Sequence, residues 1–139
     1  PEKLHAGDLT LQGFPFYGGI VTCRLKTGIK PGKEERAFLT LKSFEAAYLS
    51  VKGTEDSKSI IAWQPYEADI TELLNENDEM LLETVLTRRN TFGPLHLDPP
   101  IVPGYGSDTF IPEGDSYSPG YKLLPNGLIH PPAIQIRRP

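Results

Sequence analysis

The sequence predicts an all-β fold, an antiparallel β-sandwich, from short alternating segments, frequent turn residues and the lack of a long helical pattern. Residues 20–27 alternate so that Val21, Cys23 and Leu25 share one face, which is typical of a half-buried strand. Residues 80–87 are apolar on both faces, as expected for a central strand of a sandwich.

Further strands are predicted in chain order, each ended by Gly, Pro or polar residues. Their bounds are residues 9–11, 37–41, 46–51, 60–63, 123–124 and 129–136. A polar turn over residues 53–59 separates two of them. We expect the last strand to close the sandwich beside the first.

Residues 62–74, which we call the corner, connect two strand candidates and hold the only tryptophan, Trp63. Pro65 fixes its own φ angle and favours extended backbone before it, so the corner should be stiff. Asp69 or Thr71 can cap a short helical turn. The apolar residues of that turn share one face: Ile70, Leu73 and Leu74.

The segment from residue 93 to residue 132 holds more than half of the 13 Gly and 14 Pro. Four aromatic residues are spaced through it: Tyr105, Phe110, Tyr117 and Tyr121. Disordered segments are usually poor in aromatic residues. We therefore predict a long, ordered, Pro/Gly-rich loop whose rings hold it against the sandwich.

Composition limits the classes of function. A chain of 139 residues corresponds to a single domain spanning 1–139, with 38% hydrophobic and 23% charged residues. The net charge of −4 argues against nucleic acid and anionic membranes as partners. No apolar run reaches the length of a membrane span. Cys23 is a single cysteine in a strand pattern, so it is expected to be a core residue.

Three segments carry a resemblance to a known family: Gly-Gly-Ile-Val-Thr-Cys-Arg-Leu-Lys-Thr, Ala-Ala-Tyr-Leu-Ser-Val-Lys-Gly and the corner's Trp-Gln-Pro-Tyr-Glu-Ala-Asp-Ile-Thr-Glu-Leu-Leu. Over about residues 17–90 the chain resembles the galactose-binding-like jelly-roll domain. In particular, it resembles the sugar-binding domain of glycoside hydrolase family 2 and related accessory domains of bacterial glycosidases. The most specific part of the match is the corner.

The sequence departs from the family pattern at two turns. Lys52 stands where the family usually has Asn before Gly53, and Asn75 or Asn77 replaces a turn glycine, which Asn tolerates because it enters the left-handed region. Residues 89–96, Arg-Asn-Thr-Phe-Gly-Pro-Leu-His, also look like a segment of glycosidase-associated sandwich domains. Many domains of this family bind no ligand and only support a catalytic neighbour.

Catalysis by this chain is not expected. Glycoside hydrolysis needs two carboxylates roughly 5–10 Å apart across a cleft, and no pair here has a pattern that predicts one. Four acidic residues in turn-like contexts are interpreted as solvated: Asp56, Glu72, Glu76 and Asp78. The cysteine has no evident histidine partner, and the chain has no Gly-x-Ser-x-Gly motif.

No cofactor is predicted. His5, His96 and His130 lack the spacing of a zinc site. The jelly-roll resemblance implies that a structural calcium is an alternative, and loop acids could supply its ligands: Asp98, Asp108, Glu113 and Asp115. The simpler interpretation, which we favour, is that these residues keep the loop soluble.

A sugar site needs an aromatic platform with polar groups around it. The candidate ligand-binding residues are Trp63, Tyr66, Tyr17, Arg88, Arg89, Asn90 and His96, with Phe16 and Tyr48 as further aromatic candidates. Core packing is the alternative for each aromatic residue. For Arg89 and Asn90, which follow a buried strand, the alternative is a structural role that ties down the long loop.

The sequence therefore leaves two main functions open. One is a non-catalytic carbohydrate-binding or accessory module of a glycoside-hydrolase-like protein; the other is a structural sandwich that packs on a catalytic domain or partner protomer and binds no free sugar. An independent adhesion or protein-interaction domain has less support. Because the chain begins at Pro1 without Met, we expect a piece of a larger multidomain protein, beside a catalytic domain and secreted or periplasmic.

Overall fold

The computed structural model describes residues 3–53, 58–76 and 79–138. Within these ranges seven strands form in chain order: β1 Ile20–Lys26, β2 Arg36–Thr40, β3 Tyr48–Lys52, β4 Lys58–Ile61, β5 Glu67–Asp69, β6 Glu79–Val85 and β7 Ala133–Arg137. The α-helices are short, α1 Thr71–Glu76 and α2 Arg89–Phe92. Two 3₁₀ helices cover Leu9–Gln12 and Ser107–Phe110.

The strands form two antiparallel sheets, and the predicted all-β sandwich is confirmed. The first sheet has the order β1-β6-β3-β4, and the second has the order β5-β2-β7. Strand β6 is central, as predicted, and Ile20 of β1 and Tyr48 of β3 both lie opposite Val85 of β6. This register places the start of β1, the end of β6 and the start of β3 at the same edge of the molecule.

The hydrophobic core lies between the sheets because alternate side chains of each strand point inward. Burial in β1 alternates as predicted, with Val21, Cys23 and Leu25 on the inner side. Strand β6 alternates in the same way around buried Met80 and Leu82. The most completely buried apolar side chains are Ala37, Leu39, Leu49, Val51, Ile70, Leu74, Met80 and Leu82.

The corner forms much as its sequence predicts. The Asp69 carboxylate accepts hydrogen bonds from the Thr71 backbone N–H at 3.0 Å and from the Thr71 hydroxyl at 2.6 Å, just where α1 begins. The apolar residues of the turn are all buried: Ile70, Leu73 and Leu74. The corner also contains the short strand β5, and β4 ends at Ile61, so Trp63 is not part of a strand.

Two predicted strands are wrong. Residues 9–11 belong to a 3₁₀ helix, because the Asp8 carboxylate accepts a hydrogen bond from the Thr10 backbone N–H at 2.9 Å and Gly13 ends the helix with φ of 90°. Leu123 and Leu124 form no strand; the Leu124 backbone instead bonds the side chain of Asn90. A pair of leucines cannot distinguish a strand from a packed loop.

The predicted position of the last strand is also wrong. Strand β7 begins at Ala133 and pairs with β2, in the opposite sheet from β1. The inner face of β1 is consequently only half-buried. An apolar groove of about 210 Å³ runs along it, lined by Leu4, Leu9, Val21, Cys23, Leu25, Leu128 and Pro132 among others.

Some of the sequence interpretations fall outside the described residues. These are Asp56, Asp78, the side chain of Glu76, the turn asparagine Asn77, and residues 54–57 of the predicted polar turn. Within the described ranges, no helix has both the length and the apolar character needed to cross a bilayer.

Candidate functional site

The candidate site lies at the edge of the first sheet where β1 begins and β6 ends. The buried Asn126 side chain donates to the backbone carbonyls of Tyr17, at 3.3 Å, and Thr87, at 3.4 Å, and so joins the segments flanking both strands. Gly18 permits their close approach, because a Cβ there would lie 2.8 Å from the Thr91 hydroxyl oxygen. The Thr91 hydroxyl donates to the Phe16 carbonyl at 2.8 Å.

Helix α2 is anchored at this edge by Asn90, which is buried. Its Nδ2 group donates to the Leu124 carbonyl at 2.7 Å, and its Oδ1 atom accepts from the Leu124 N–H at 2.9 Å. Both amide groups are therefore used within the protein. This geometry corresponds to the structural alternative for Asn90, which ties the long loop to the sandwich.

Four rings lie side by side along this edge: Phe16, His96, Tyr117 and Tyr121. We call them the aromatic cluster. The Phe16 and Tyr121 centroids are 5.4 Å apart in an edge-to-face arrangement, and His96 lies 5.2 Å from Tyr121 and 5.6 Å from Tyr117. Tyr121 is 60% exposed and Phe16 40% exposed. The cluster thus presents ring surface to solvent while its rings support one another.

His96 contributes a polar group to this cluster. Its Nδ1 atom lies 2.8 Å from the Ser118 carbonyl oxygen, and because a carbonyl can only accept, Nδ1 carries the proton of this bond. In the neutral ring, Nε2 is then left as a hydrogen-bond acceptor. A cluster of partly exposed rings with a hydrogen-bond acceptor beside it suits a ligand that has both C–H faces and hydroxyl groups.

Arg89 and Tyr105 form a second feature next to Asn90. The Arg89 guanidinium carbon is 4.9 Å from the Tyr105 ring centroid, and Nη2 donates to the Pro100 carbonyl at 2.9 Å. The Tyr105 hydroxyl donates to the same carbonyl at 3.0 Å. The Nε and Nη1 atoms of Arg89 are buried and have no hydrogen-bond partner among the residues that the structure describes.

Tyr17 and Arg88 lie at the same edge and are exposed. The Tyr17 ring packs edge-to-face on Phe14 at 6.1 Å, and its hydroxyl donates to the Ile20 carbonyl at 3.1 Å. Of the seven predicted ligand-binding residues, the structure therefore brings five to one edge: Tyr17, Arg88, Arg89, Asn90 and His96.

Trp63 and Tyr66 are separate from this group. Trp63 is 77% exposed and follows β4, which is three strand spacings from β1, or about 14 Å. Tyr66 packs against the hydrophobic core, with its ring centroid 4.8 Å from that of Phe44. Tyr48 begins β3, where the Lys58 ammonium lies 6.0 Å from its ring. Tyr66 thus takes the core-packing alternative, and Trp63 does not.

The sequence predicts no site role for Tyr117 or Tyr121, only that their rings hold the loop. The signal that could have identified them is their spacing among Gly and Pro, which leaves aromatic rings on a segment with few other large side chains. Their contact with His96 could not be read from spacing. It depends on backbone bonds from Ser118 to His96, at 2.8 Å, and from Lys122 to Leu95, at 2.7 Å.

Two carboxylates, Asp69 and Glu72, line a polar cleft of about 370 Å³ beside the corner. Partial burial would raise the pKa of Asp69, but hydrogen bonds from Thr71 and the Arg36 guanidinium outweigh it and hold the pKa below its ordinary value. A general acid in glycoside hydrolysis needs the opposite, a raised pKa. Asp69 is therefore suited to capping α1.

The loop acids proposed as alternative calcium ligands are exposed. Asp98 is paired with Lys122 at 2.7 Å. Across the residues that the structure describes, no three His, Cys, Asp or Glu side chains are grouped so that they could hold a metal ion. Comparison of the chain with protein-family models, with curated proteins and with solved structures found no match.

Proposed function

We propose that this chain is a non-catalytic carbohydrate-binding or accessory module of a glycoside-hydrolase-like protein, with a galactose-binding-like jelly-roll fold. The sandwich with its capped corner supports this proposal, because the corner is the most specific part of the resemblance noted in the sequence. Under this proposal the chain works beside a catalytic domain in a secreted or periplasmic protein. The proposal also includes a Pro/Gly-rich loop that is ordered in solution.

The aromatic cluster is the observation that carries the proposal. Sugars present apolar C–H faces that pack on rings, together with hydroxyl groups that need donors and acceptors. The exposed Tyr121 and Phe16 rings can pack on the C–H faces, and His96 Nε2 can accept a hydrogen bond from a hydroxyl group. Because the rings are held by contacts with one another, little side-chain entropy would be lost when a ligand binds to them.

The test is binding of the purified domain to a glycan array, followed by affinity gels with the glycans that bind. Tyr121→Ala and Phe16→Ala should weaken binding by roughly tenfold or more, since each removes a ring from the platform. Trp63→Ala is the matched control, because it removes an exposed ring that follows β4, at the other side of the first sheet from β1.

Two results would contradict this assignment. Failure to bind any glycan would reject carbohydrate recognition. Binding that is lost in Trp63→Ala but kept in Tyr121→Ala would move the sugar site to the corner.

A specific observation favours the second candidate function, a structural domain that packs on a neighbour without binding sugar. Large apolar side chains are exposed along the loop: Ile101 69%, Tyr105 46%, Phe110 57% and Ile111 48%. Exposed apolar surface of this kind often marks an interface. Hydrogen exchange in a longer protein containing a catalytic domain would detect it, as amide protection at residues 101–111 that the isolated domain lacks.

A further inference from the structure

The six arginines of this chain divide into two groups by their ionic partners. Four have a carboxylate within salt-bridge distance: Arg24 with Glu79, Arg36 with Asp69, Arg137 with Glu67 and Arg138 with Glu35. The adjacent Arg88 and Arg89 have none among the described residues. In a chain of net charge −4, this edge therefore carries uncompensated positive charge.

Arg89 is the more unusual of the two. Its Nη2 atom donates to the Pro100 carbonyl, and the Tyr105 ring covers the guanidinium. The buried Nε and Nη1 donors find no acceptor within residues 3–53, 58–76 and 79–138. Buried donors are nearly always paired, and an unpaired buried charge is costly. The cation–π contact with Tyr105 offsets part of that cost, yet a ring face accepts no strong hydrogen bond.

The missing acceptor should be anionic. A neutral hydroxyl could accept one hydrogen bond but would leave the guanidinium charge uncompensated. A carboxylate supplies both the acceptor and the opposite charge, and arginine–carboxylate hydrogen bonds are among the strongest in proteins. Arg88, the exposed residue just before Arg89, adds electrostatic attraction for the same anion at longer range.

We propose that Arg88 and Arg89 form a subsite for the carboxylate of an acidic sugar, a uronate residue of a glycan bound at this edge. The Tyr105 ring is the cover of this subsite, and its displacement gives the carboxylate access to Nε and Nη1 of Arg89. The proposal rests on the proposed carbohydrate-binding function and specifies its ligand class.

The first test changes only the ligand. Isothermal titration of the domain with trigalacturonate and with its methyl ester compares two sugars that differ in charge. We expect the acid to bind more tightly than the ester, by on the order of tenfold to a hundredfold, because the ester cannot accept a charge-assisted hydrogen bond from Arg89. Raising the salt concentration should reduce this difference in affinity, because salt screens the attraction between the carboxylate and the arginines.

The second test changes the protein. Arg89→Gln should reduce the preference for the acid over the ester to about twofold or less, while binding of the ester is retained. Arg24→Gln is the matched control, since it removes an arginine of β1 that is already paired with Glu79. If Arg89→Gln does not fold, the ester comparison still decides the proposal, and Tyr105→Ala gives a second variant, expected to raise the association rate for the acid.

Failure of this proposal is distinguishable from failure of the proposed function. Equal affinity for acid and ester, or a preference that survives in Arg89→Gln, would overturn the uronate subsite while leaving sugar binding intact. Binding of a glutamate-rich peptide as tightly as trigalacturonate would also overturn it, in favour of a protein partner. Absence of binding to every glycan would instead reject the carbohydrate function itself.

Discussion

Asn90 is a buried polar side chain whose amide pairs with both backbone groups of Leu124. These two residues are 34 positions apart, so the pair fixes the end of the long loop against α2. Backbone groups shielded from water need such partners, and a side-chain amide offers a donor and an acceptor on one planar group.

Asn90→Ala should lower the free energy of unfolding by about 2–4 kcal/mol, because it leaves both Leu124 backbone groups without their partner in a part-buried position. Urea denaturation measures this loss. Gln64→Ala, which truncates an exposed amide, is the control and should change stability by less than about 0.5 kcal/mol. A loss in Asn90→Ala no larger than in the control would show that water replaces the amide.

Glu83 is the most connected carboxylate of the first sheet. It accepts hydrogen bonds from the Lys52 ammonium at 2.7 Å and the Ser50 hydroxyl at 3.1 Å, which join β6 to β3. The Lys52 hydrogen bond is the main reason that the pKa of Glu83 lies below its ordinary value of 4.5; the Ser50 bond and the nearby lysine charges also contribute.

A lowered carboxylate pKa stabilises the fold at pH values above the unfolded pKa, and this contribution is lost as pH falls through the folded pKa. Stability should therefore decline as the pH is lowered below about 4.5. In Glu83→Gln the decline should be smaller, measured by thermal unfolding at a series of pH values. Glu113→Gln, which removes an exposed loop carboxylate, should keep the wild-type profile. An identical slope in Glu83→Gln and the wild type would contradict the assignment.

At the scale of elements, the corner combines two aromatic residues with opposite surroundings. Tyr66 packs against the core beside Phe44, while Trp63, three residues earlier, is 77% exposed. Residues 63–65 form a bend between the two aromatic residues, and the peptide bond between Gln64 and Pro65 is cis.

Truncation of these two residues should have different effects. Tyr66→Ala should lower the free energy of unfolding by about 2–4 kcal/mol, because it removes packed ring surface from the core. Trp63→Ala should change it by less than about 0.5 kcal/mol. Chemical denaturation of both variants measures these two changes in the free energy of unfolding. A large loss in Trp63→Ala would show that the indole is buried in solution.

At the scale of the whole molecule, the sandwich is less covered on one side. Because β7 pairs with β2, β1 has one sheet neighbour and its inner face borders the apolar groove. Cys23 lies in the middle of that face, half-buried, and burial raises the pKa of its thiol.

Cys23 therefore reports on opening of the sandwich. Iodoacetamide should alkylate it more slowly in the native protein at pH 8 than in the urea-unfolded protein, because a raised pKa and partial burial both lower the amount of reactive thiolate. Mass spectrometry against time gives the two rates, with free cysteine in the same urea concentrations as the control. Equal rates after that correction would mean that the groove opens freely.

The sequence by itself determined the features that depend on local patterns. The period of two in residues 20–27 specifies a strand and its inner face, because successive side chains of a strand point to opposite sides. The Asp69–Thr71 cap follows from residues two positions apart, which meet whatever the rest of the chain does. Apolar residues on both faces of segment 80–87 likewise predict the central position of β6.

Only the tertiary structure decided which distant segments meet. No local pattern shows that β7 joins β2, because its alternation fits the edge of either sheet. The aromatic cluster joins residues about a hundred positions apart. It depends on hydrogen bonds at Leu95, His96 and Leu124, which hold the long loop against the segment that follows β6. Whether Arg89 meets a carboxylate among the described residues likewise depends on how distant segments pack.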